Sequence, residues 1–138
     1  MKHMRFIATL LVAFLLFAPT AQAQDDIREA GDELALAVKM IDEQCPMELG
    51  YGIALNSVRI EGPVVVYVCM VDEEIVSMDQ IEASRDDIQY NLEEYMAEAS
   101  QDIAVQQFVK CCKAVEKDVV YRYVGATSAK KSEFFIEL

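Results

Sequence analysis

The amino-acid sequence predicts one α+β domain, in which helices pack on an antiparallel sheet and the elements follow the order α-β-β-α-α-β-β. Two observations carry this prediction: apolar residues recur at helical spacing in three segments and at every second position in the strands. A third is that no repeat, low-complexity tract or linker rich in Pro, Gly and Ser divides residues 24–138, which indicates a single domain.

Residues 1–23 are predicted to be a secretory signal peptide. Two basic residues, Lys2 and Arg5, precede an apolar run over residues 6–18 that is too short to span a bilayer. Ala21-Gln22-Ala23 then offers a small-x-small cleavage site, and no cysteine follows the run to carry a lipid. We therefore expect cleavage after Ala23, a periplasmic or secreted protein, and no membrane anchor in the mature chain.

The first helix is predicted over residues 26–44, where Leu34, Val38 and Ile41 recur on one face. Pro46 should end it, because proline has no backbone N–H and disfavours helical geometry in the residue before it.

Two strands should follow as a hairpin around the turn Glu61-Gly62-Pro63. In the first strand the apolar residues change parity, which indicates a bulge near Asn56-Ser57: Tyr51, Ile53 and Leu55 alternate, then Val58 and Ile60. The second strand, residues 64–71, is apolar on both faces, so we place it centrally in the sheet or beneath helices.

A second helix should begin at Ser77, because Gln80 lies three residues later and completes a capping box. We expect a break at Ser100 and a third, shorter helix after it. The apolar faces are Ile81, Ile88, Leu92 and Tyr95, then Ile103, Phe108, Cys111, Cys112 and Val115. Two final strands return to period two, with Val119, Tyr121 and Tyr123, then Phe134, Ile136 and Leu138.

The chain is acidic, with 12 Lys and Arg against 24 Asp and Glu and a net charge of −12. This charge argues against nucleic acid and anionic membranes, which both select basic patches. The acids are unevenly placed: residues 24–109 hold 20 acidic and 4 basic side chains, whereas residues 110–138 hold 4 and 6. The asymmetry either steers a basic partner to one face or balances charge internally.

The composition also excludes several enzyme classes. The single histidine, His3, lies in the predicted signal peptide, so the mature chain has no imidazole for a Ser-His or Cys-His mechanism. No phosphate-binding glycine loop, nucleophile elbow, C-x-x-C pair or calcium loop occurs. We therefore expect a protein that is not an enzyme and that holds no cofactor or metal.

Four cysteines, an even number in an exported chain, indicate disulfides: Cys45, Cys69, Cys111 and Cys112. Neighbouring helical residues point about 100° apart, which disfavours a Cys111–Cys112 bridge. We expect Cys45 or Cys69 to pair with the third helix, with free thiols as the alternative.

Two further groups of residues are candidate sites. Tyr67, Tyr121 and Tyr123 lie on predicted strands and form a possible binding surface, although strand tyrosines are more often packing residues. Asp86 with Glu93, or Asp87 with Glu94, are carboxylates two helical turns apart that an inverting hydrolase could use. The simpler interpretation of the acidic pairs is a solvated helix face.

Several short segments of the chain resemble small exported proteins of unknown function from Gram-negative bacteria of the Bacteroidetes type. They are Cys45-Pro46-Met47, Leu55-Asn56-Ser57-Val58, Val66-Tyr67 and Val120-Tyr121-Arg122-Tyr123. The resemblance covers most of the mature chain and departs from the pattern at the doubled Cys111-Cys112. It implies an α+β domain in a periplasmic or secreted setting, and it carries no catalytic residue.

The leading functional hypothesis is a non-catalytic exported module that presents its sheet or a sheet edge to a protein partner, as an inhibitor or immunity protein does. The alternatives are a carboxylate-dependent hydrolase and a carrier of a small apolar ligand held between the helices and the sheet.

Overall fold

The computed structural model describes residues 20–97 and 101–138, which form four helices and a five-stranded sheet. The predicted α+β class is confirmed. The elements in chain order are α1 (Thr20–Glu43), β1 (Met47–Gly50), β2 (Ile53–Glu61), β3 (Val64–Val71), α2 (Met78–Ala83), α3 (Arg85–Met96), α4 (Ile103–Ala114), β4 (Asp118–Gly125) and β5 (Lys131–Ile136).

Two sequence predictions concern residues that lie outside the described ranges. The signal peptide, apart from residues 20–23, lies outside the described residues, and so does Ser100, where the sequence predicts a helix break. The expected cleavage point after Ala23 falls within α1, which begins at Thr20, and cleavage there remains a prediction.

The strands lie in the order β1-β2-β3-β4-β5. The central position of β3 agrees with the apolar residues on both its faces. Three of the four pairings are antiparallel, but β3 pairs with β4 in parallel, from Val64 opposite Asp118 to Val71 opposite Gly125. The sheet differs here from the wholly antiparallel prediction, because α2, α3 and α4 return the chain to the starting end of β3 before β4 begins.

The hairpin of β2 and β3 forms as predicted. Its register shifts between Leu55 and Ser57, which confirms the bulge inferred from the change of apolar parity. Strand β1 was not predicted, because four residues give too short an apolar pattern to recognise. Tyr51, which the sequence placed in a strand, lies in the turn between β1 and β2 with φ of 55° and is 91% exposed.

The long second helix of the prediction is two helices. The Ser77 hydroxyl accepts a hydrogen bond from the Gln80 N–H, and the Gln80 side chain accepts one from the Ser77 N–H, so the capping box is confirmed. However, α2 ends at Ala83, and α3 begins at Arg85. The Arg85 guanidinium donates to the Ser132 hydroxyl, which ties the junction of the two helices to β5.

The helices cover one face of the sheet, and the main core lies between them. Its buried members include Leu34 and Val38 of α1, Phe108 and Cys112 of α4, and the strand residues Val65, Cys69, Val119, Tyr121 and Phe134. The other face carries three buried valines, Val66, Val68 and Val120. Ion pairs of Arg59 with Glu61 and of Arg122 with Glu61 and Glu133 surround these valines, and their alkyl stems shield apolar surface from water.

Candidate functional site

Tyr67 of β3 and Tyr121 of β4 sit at paired positions of the parallel ladder. Their rings stack with centroids 4.7 Å apart and planes 9° from parallel. Phe108 of α4 meets the Tyr67 ring edge-on at 6.0 Å, and Tyr123 meets Phe134 edge-on at 5.4 Å. These contacts form a rigid aromatic cluster on the helix-covered face of the sheet.

The aromatic cluster borders a cavity of about 520 Å³, which we call the tyrosine cleft. Its floor consists of strand residues from β1 to β4, namely Met47, Leu55, Tyr67, Tyr121 and Tyr123. Its roof comes from the end of α1, the end of α3 and the start of α4, and includes Ile41, Leu92, Tyr95, Met96, Val105 and Phe108. A volume of this size lies within the range of ligand pockets in proteins.

The cleft is open to solvent, and apolar side chains border its opening. Leu49 of β1 and Tyr95 of α3 both line it, and they are 51% and 48% exposed. Asp102 is the one charged residue among those that line it, and its carboxylate caps α4 by accepting hydrogen bonds from the N–H groups of Ala104 and Val105. The opening is therefore an accessible apolar surface with a single carboxylate at its edge.

The three tyrosines proposed from the sequence as a binding surface thus share one cavity, and binding there remains a prediction. Sequence reasoning missed the rest of the cleft. Met47 and Leu49 were not assigned to a strand, because the alternation of apolar residues in β1 spans only four residues. Tyr95 was assigned to a core-facing stripe of a longer helix.

The cleft tyrosines are unsuited to acid–base chemistry. Burial raises the pKa of Tyr123 to about 12 and raises the pKa values of Tyr67 and Tyr121 further. All three phenols therefore stay protonated and neutral at physiological pH. They offer ring faces and hydroxyl groups to a ligand, not a base or a nucleophile.

The structure holds all four cysteines as free thiols, so the expected bridge between α4 and Cys45 or Cys69 is not observed. Cys69 is fully buried on β3, opposite Leu55 of β2 and Tyr123 of β4. The Cys45 thiol instead donates a hydrogen bond to the Ile41 carbonyl at 3.4 Å. Burial raises the pKa values of Cys69 and Cys112 to about 12 and of Cys111 to about 11, which keeps these thiols in their unreactive form.

The carboxylates of the hydrolase alternative do not come together. Asp86, Asp87, Glu93 and Glu94 are all exposed on α3. Glu93 lines a second cavity of about 440 Å³ together with Lys113 and Glu137, and the other three carboxylates line none of the cavities described within residues 20–97 and 101–138. Neither predicted pair therefore faces a common cavity. Within the described residues, no three His, Cys, Asp or Glu side chains are grouped closely enough to hold a metal ion.

One acidic residue does not fit the prediction that the acids lie on solvated helix faces. Asp26 is only 2% exposed and lies on the same side of α1 as Ala30 and Leu34. Burial, followed by the nearby charges of Glu29 and Asp25, raises its pKa.

Among the residues that the structure describes, no helix is both long and apolar enough to cross a bilayer. No known protein family matches the sequence, and no curated protein matches it.

Two solved structures share the fold. One is a protein of Pseudomonas aeruginosa thought to be secreted, with a TM-score of 0.62 and 12% identity over 79% of this chain and 89% of that one. The other is the pilotin EpsS of the Vibrio vulnificus type 2 secretion system, with a TM-score of 0.57 and 7% identity over 80% of this chain and 89% of that one. At these identities the likeness shows a common fold alone. It is consistent with the resemblance to small exported proteins, whereas a Bacteroidetes-type origin is not shown.

Proposed function

We propose that the protein is a non-catalytic exported module that binds a segment of a partner protein in the tyrosine cleft. The observation that carries this proposal is the cleft itself, which has apolar walls, an aromatic floor on a rigid sheet and half-exposed side chains at its opening. Surfaces of this kind, with aromatic anchors in a concave apolar site, provide most of the binding energy in protein interfaces.

Two further points support this proposal. One of the proteins that share the fold is a pilotin of a secretion system, and the other is thought to be secreted, which fits an exported protein with a role in the cell envelope. The protonated phenols and thiols around the cleft favour binding over chemistry. An inhibitor or immunity role has no support in the fold neighbours or in the cleft.

Site-specific photo-crosslinking in the producing cells tests the proposal. A photoreactive side chain at Leu49, which is 51% exposed and lines the cleft, should form a discrete adduct with another protein. The same group at Leu36, which is 53% exposed on α1 and away from the cleft, should not. Adducts of equal yield from both positions, or from neither, would contradict the proposal.

A matched pair of tyrosine variants sharpens the result. Tyr95→Ala removes a ring that lines the cleft, and Tyr90→Ala removes a ring from the same helix that is 61% exposed and does not line it. Only Tyr95→Ala should reduce the Leu49 adduct. Native mass spectrometry of the purified protein checks the carrier alternative, because a stoichiometric apolar molecule released on unfolding would favour a small-ligand carrier over a protein-binding module.

A further inference from the structure

We infer that the partner segment places the carboxamide of an asparagine or a glutamine against the hydroxyl groups of Tyr67, Tyr121 and Tyr123 at the floor of the tyrosine cleft. This inference rests on the proposed function and names the side-chain chemistry that the cleft selects.

The three hydroxyls are polar groups that the rest of the protein does not satisfy. All three tyrosines line the cleft, and none of their hydroxyls forms a hydrogen bond with another described residue. Tyr121 and Tyr123 are only 7% and 8% exposed, so protein surrounds these side chains almost completely. Polar groups at such depth in proteins are nearly always hydrogen-bonded. The partners of these hydroxyls therefore have to come from the contents of the cleft.

The hydroxyls are also accessible from the cleft. None of the three oxygen atoms belongs to the described side-chain atoms that are both sealed from solvent and without a hydrogen bond, so each keeps an accessible side. The tyrosine cleft is the cavity that these residues line, and the accessible side of each hydroxyl faces it. A ligand in the cleft consequently meets polar atoms at the floor and apolar atoms on the walls.

The arrangement of the rings favours a ligand group with two polar atoms. Tyr67 and Tyr121 occupy paired positions on parallel strands, and their rings stack 4.7 Å apart with planes 9° from parallel. Their hydroxyls therefore lie side by side without bonding to each other. A carboxamide carries an acceptor oxygen and a donor NH₂ group on one planar carbon, so it can accept from one hydroxyl and donate to its neighbour.

The other classes of side chain fit the floor less well. An apolar side chain would displace solvent from the hydroxyls and leave them unpaired, which is unfavourable for binding. A carboxylate or an ammonium group would lose its hydration without gaining a counter-charge, because the strand residues of the floor are all uncharged. A serine hydroxyl is uncharged as well, but its short side chain reaches less far beneath the helices.

Tyrosine-to-phenylalanine variants test the inference, because they remove a hydroxyl and keep the ring. Tyr121→Phe with Tyr123→Phe should weaken partner binding about tenfold and lower the yield of the Leu49 photo-adduct accordingly. Tyr90→Phe, at an exposed ring that does not line the cleft, is the matched control and should leave the yield unchanged. The double variant should keep the wild-type Tm or exceed it, because its missing hydroxyls had no partner within the described residues.

The partner side of the contact is tested on the same adduct. Mass spectrometry of the Leu49 adduct identifies the bound segment, which should contain asparagine or glutamine. Leucine at that position of the partner should lower the adduct yield with the wild type, and it should cause no further loss with the double phenylalanine variant.

The outcomes separate this inference from the proposed function. If the double phenylalanine variant forms the adduct as well as the wild type does, or if the bound segment contains neither asparagine nor glutamine, the inference is wrong while the proposed function stands. If the wild type forms no adduct from Leu49, the proposed function fails and this inference fails with it.

Discussion

The guanidinium of Arg85 lies over the ring of Phe134, with its central carbon 4.3 Å from the ring centroid. The same group donates hydrogen bonds to the Ser132 hydroxyl at 2.9 Å and to the Glu133 carbonyl at 3.1 Å. One side chain thus holds the start of α3 against β5, which is an edge of the sheet. Because the Arg85 side chain occupies the Glu133 carbonyl of this edge strand, it also limits unwanted pairing with other strands.

Arg85→Lys should therefore destabilise the protein although it keeps the charge. A lysine cannot stack its planar fork on the ring and donate to two acceptors at once. We expect a loss of about 1 kcal/mol in the free energy of unfolding, because the side chain is partly exposed. Urea titration measures it. Arg28→Lys, at an exposed pair with Asp25 within α1, is the matched control and should change little.

Acid should weaken the same junction. Hydrogen bonds from Arg85 and then Ser132 lower the pKa of Glu82 to about 2, from an ordinary value of about 4.5. A carboxyl with a lower pKa in the folded state stabilises the fold above its unfolded pKa, and this stabilisation is lost as the pH falls from about 4.5 toward 2.

A Tm series against pH measures this effect. The gap between the wild type and Glu82→Gln should be widest at neutral pH and should close near pH 2. Glu74→Gln, an exposed acid outside this network, should follow the wild-type curve. A Glu82→Gln variant that follows the wild type throughout would show that the junction does not depend on this carboxylate.

Two glycine substitutions should have opposite effects on stability. A Cβ at Gly125 would lie 2.7 Å from the Glu73 carboxyl carbon and from the Ser128 hydroxyl. Glu73 cannot move aside freely, because it accepts hydrogen bonds from the N–H groups of Thr127 and Ser128 at 2.6 and 2.8 Å. Gly125→Ala should therefore cost ~1–3 kcal/mol.

Gly31→Ala is the opposite case. Its Cβ would meet Val115 Cγ1 at 3.7 Å, an ordinary contact, in the interior of α1. Alanine should stabilise this helix by about 0.5–1 kcal/mol. Chemical denaturation of both variants measures the change in the free energy of unfolding. A change in the same direction for both variants would mean that the surroundings of these glycines are not as described.

The cysteines should react in a defined order. Cys45 is the only partly exposed thiol of the four, whereas Cys69, Cys111 and Cys112 are buried. Burial raises the pKa values of all four thiols, with Asp42 adding to the effect at Cys45, so exposure decides the order of reaction. Protein purified without reductant should take up one alkyl group quickly when folded and four when denatured, as counted by intact mass. Fewer than four in denaturant would reveal a disulfide that this structure does not contain.

Local patterns predicted much of the strand architecture, because the relevant interactions lie close together in sequence. The bulge near Ser57 follows from a change of parity, and the central position of β3 follows from its two apolar faces. The parallel pairing of Tyr67 with Tyr121 could not be predicted in this way, since it depends on the path of three intervening helices. The cleft was likewise predicted only in part. The alternation of residues along the strands identified the tyrosines of the cleft. The roof of the cleft could not be predicted, because Tyr95 and Phe108 come together from different helices.

The parallel pairing of β3 with β4 also fixes when the cleft comes into existence during folding. The β2–β3 hairpin joins neighbours in the sequence, whereas pairing of β4 with β3 closes a much longer loop that contains α2, α3 and α4, so we expect the hairpin to form first. Because Tyr67 and Tyr121 belong to these two strands, a chain in which β3 and β4 have not yet paired lacks the stacked pair of rings in the floor of the cleft. A partner that recognises the whole floor would consequently bind only chains in which this pairing is complete, so binding would distinguish folded from incompletely folded molecules.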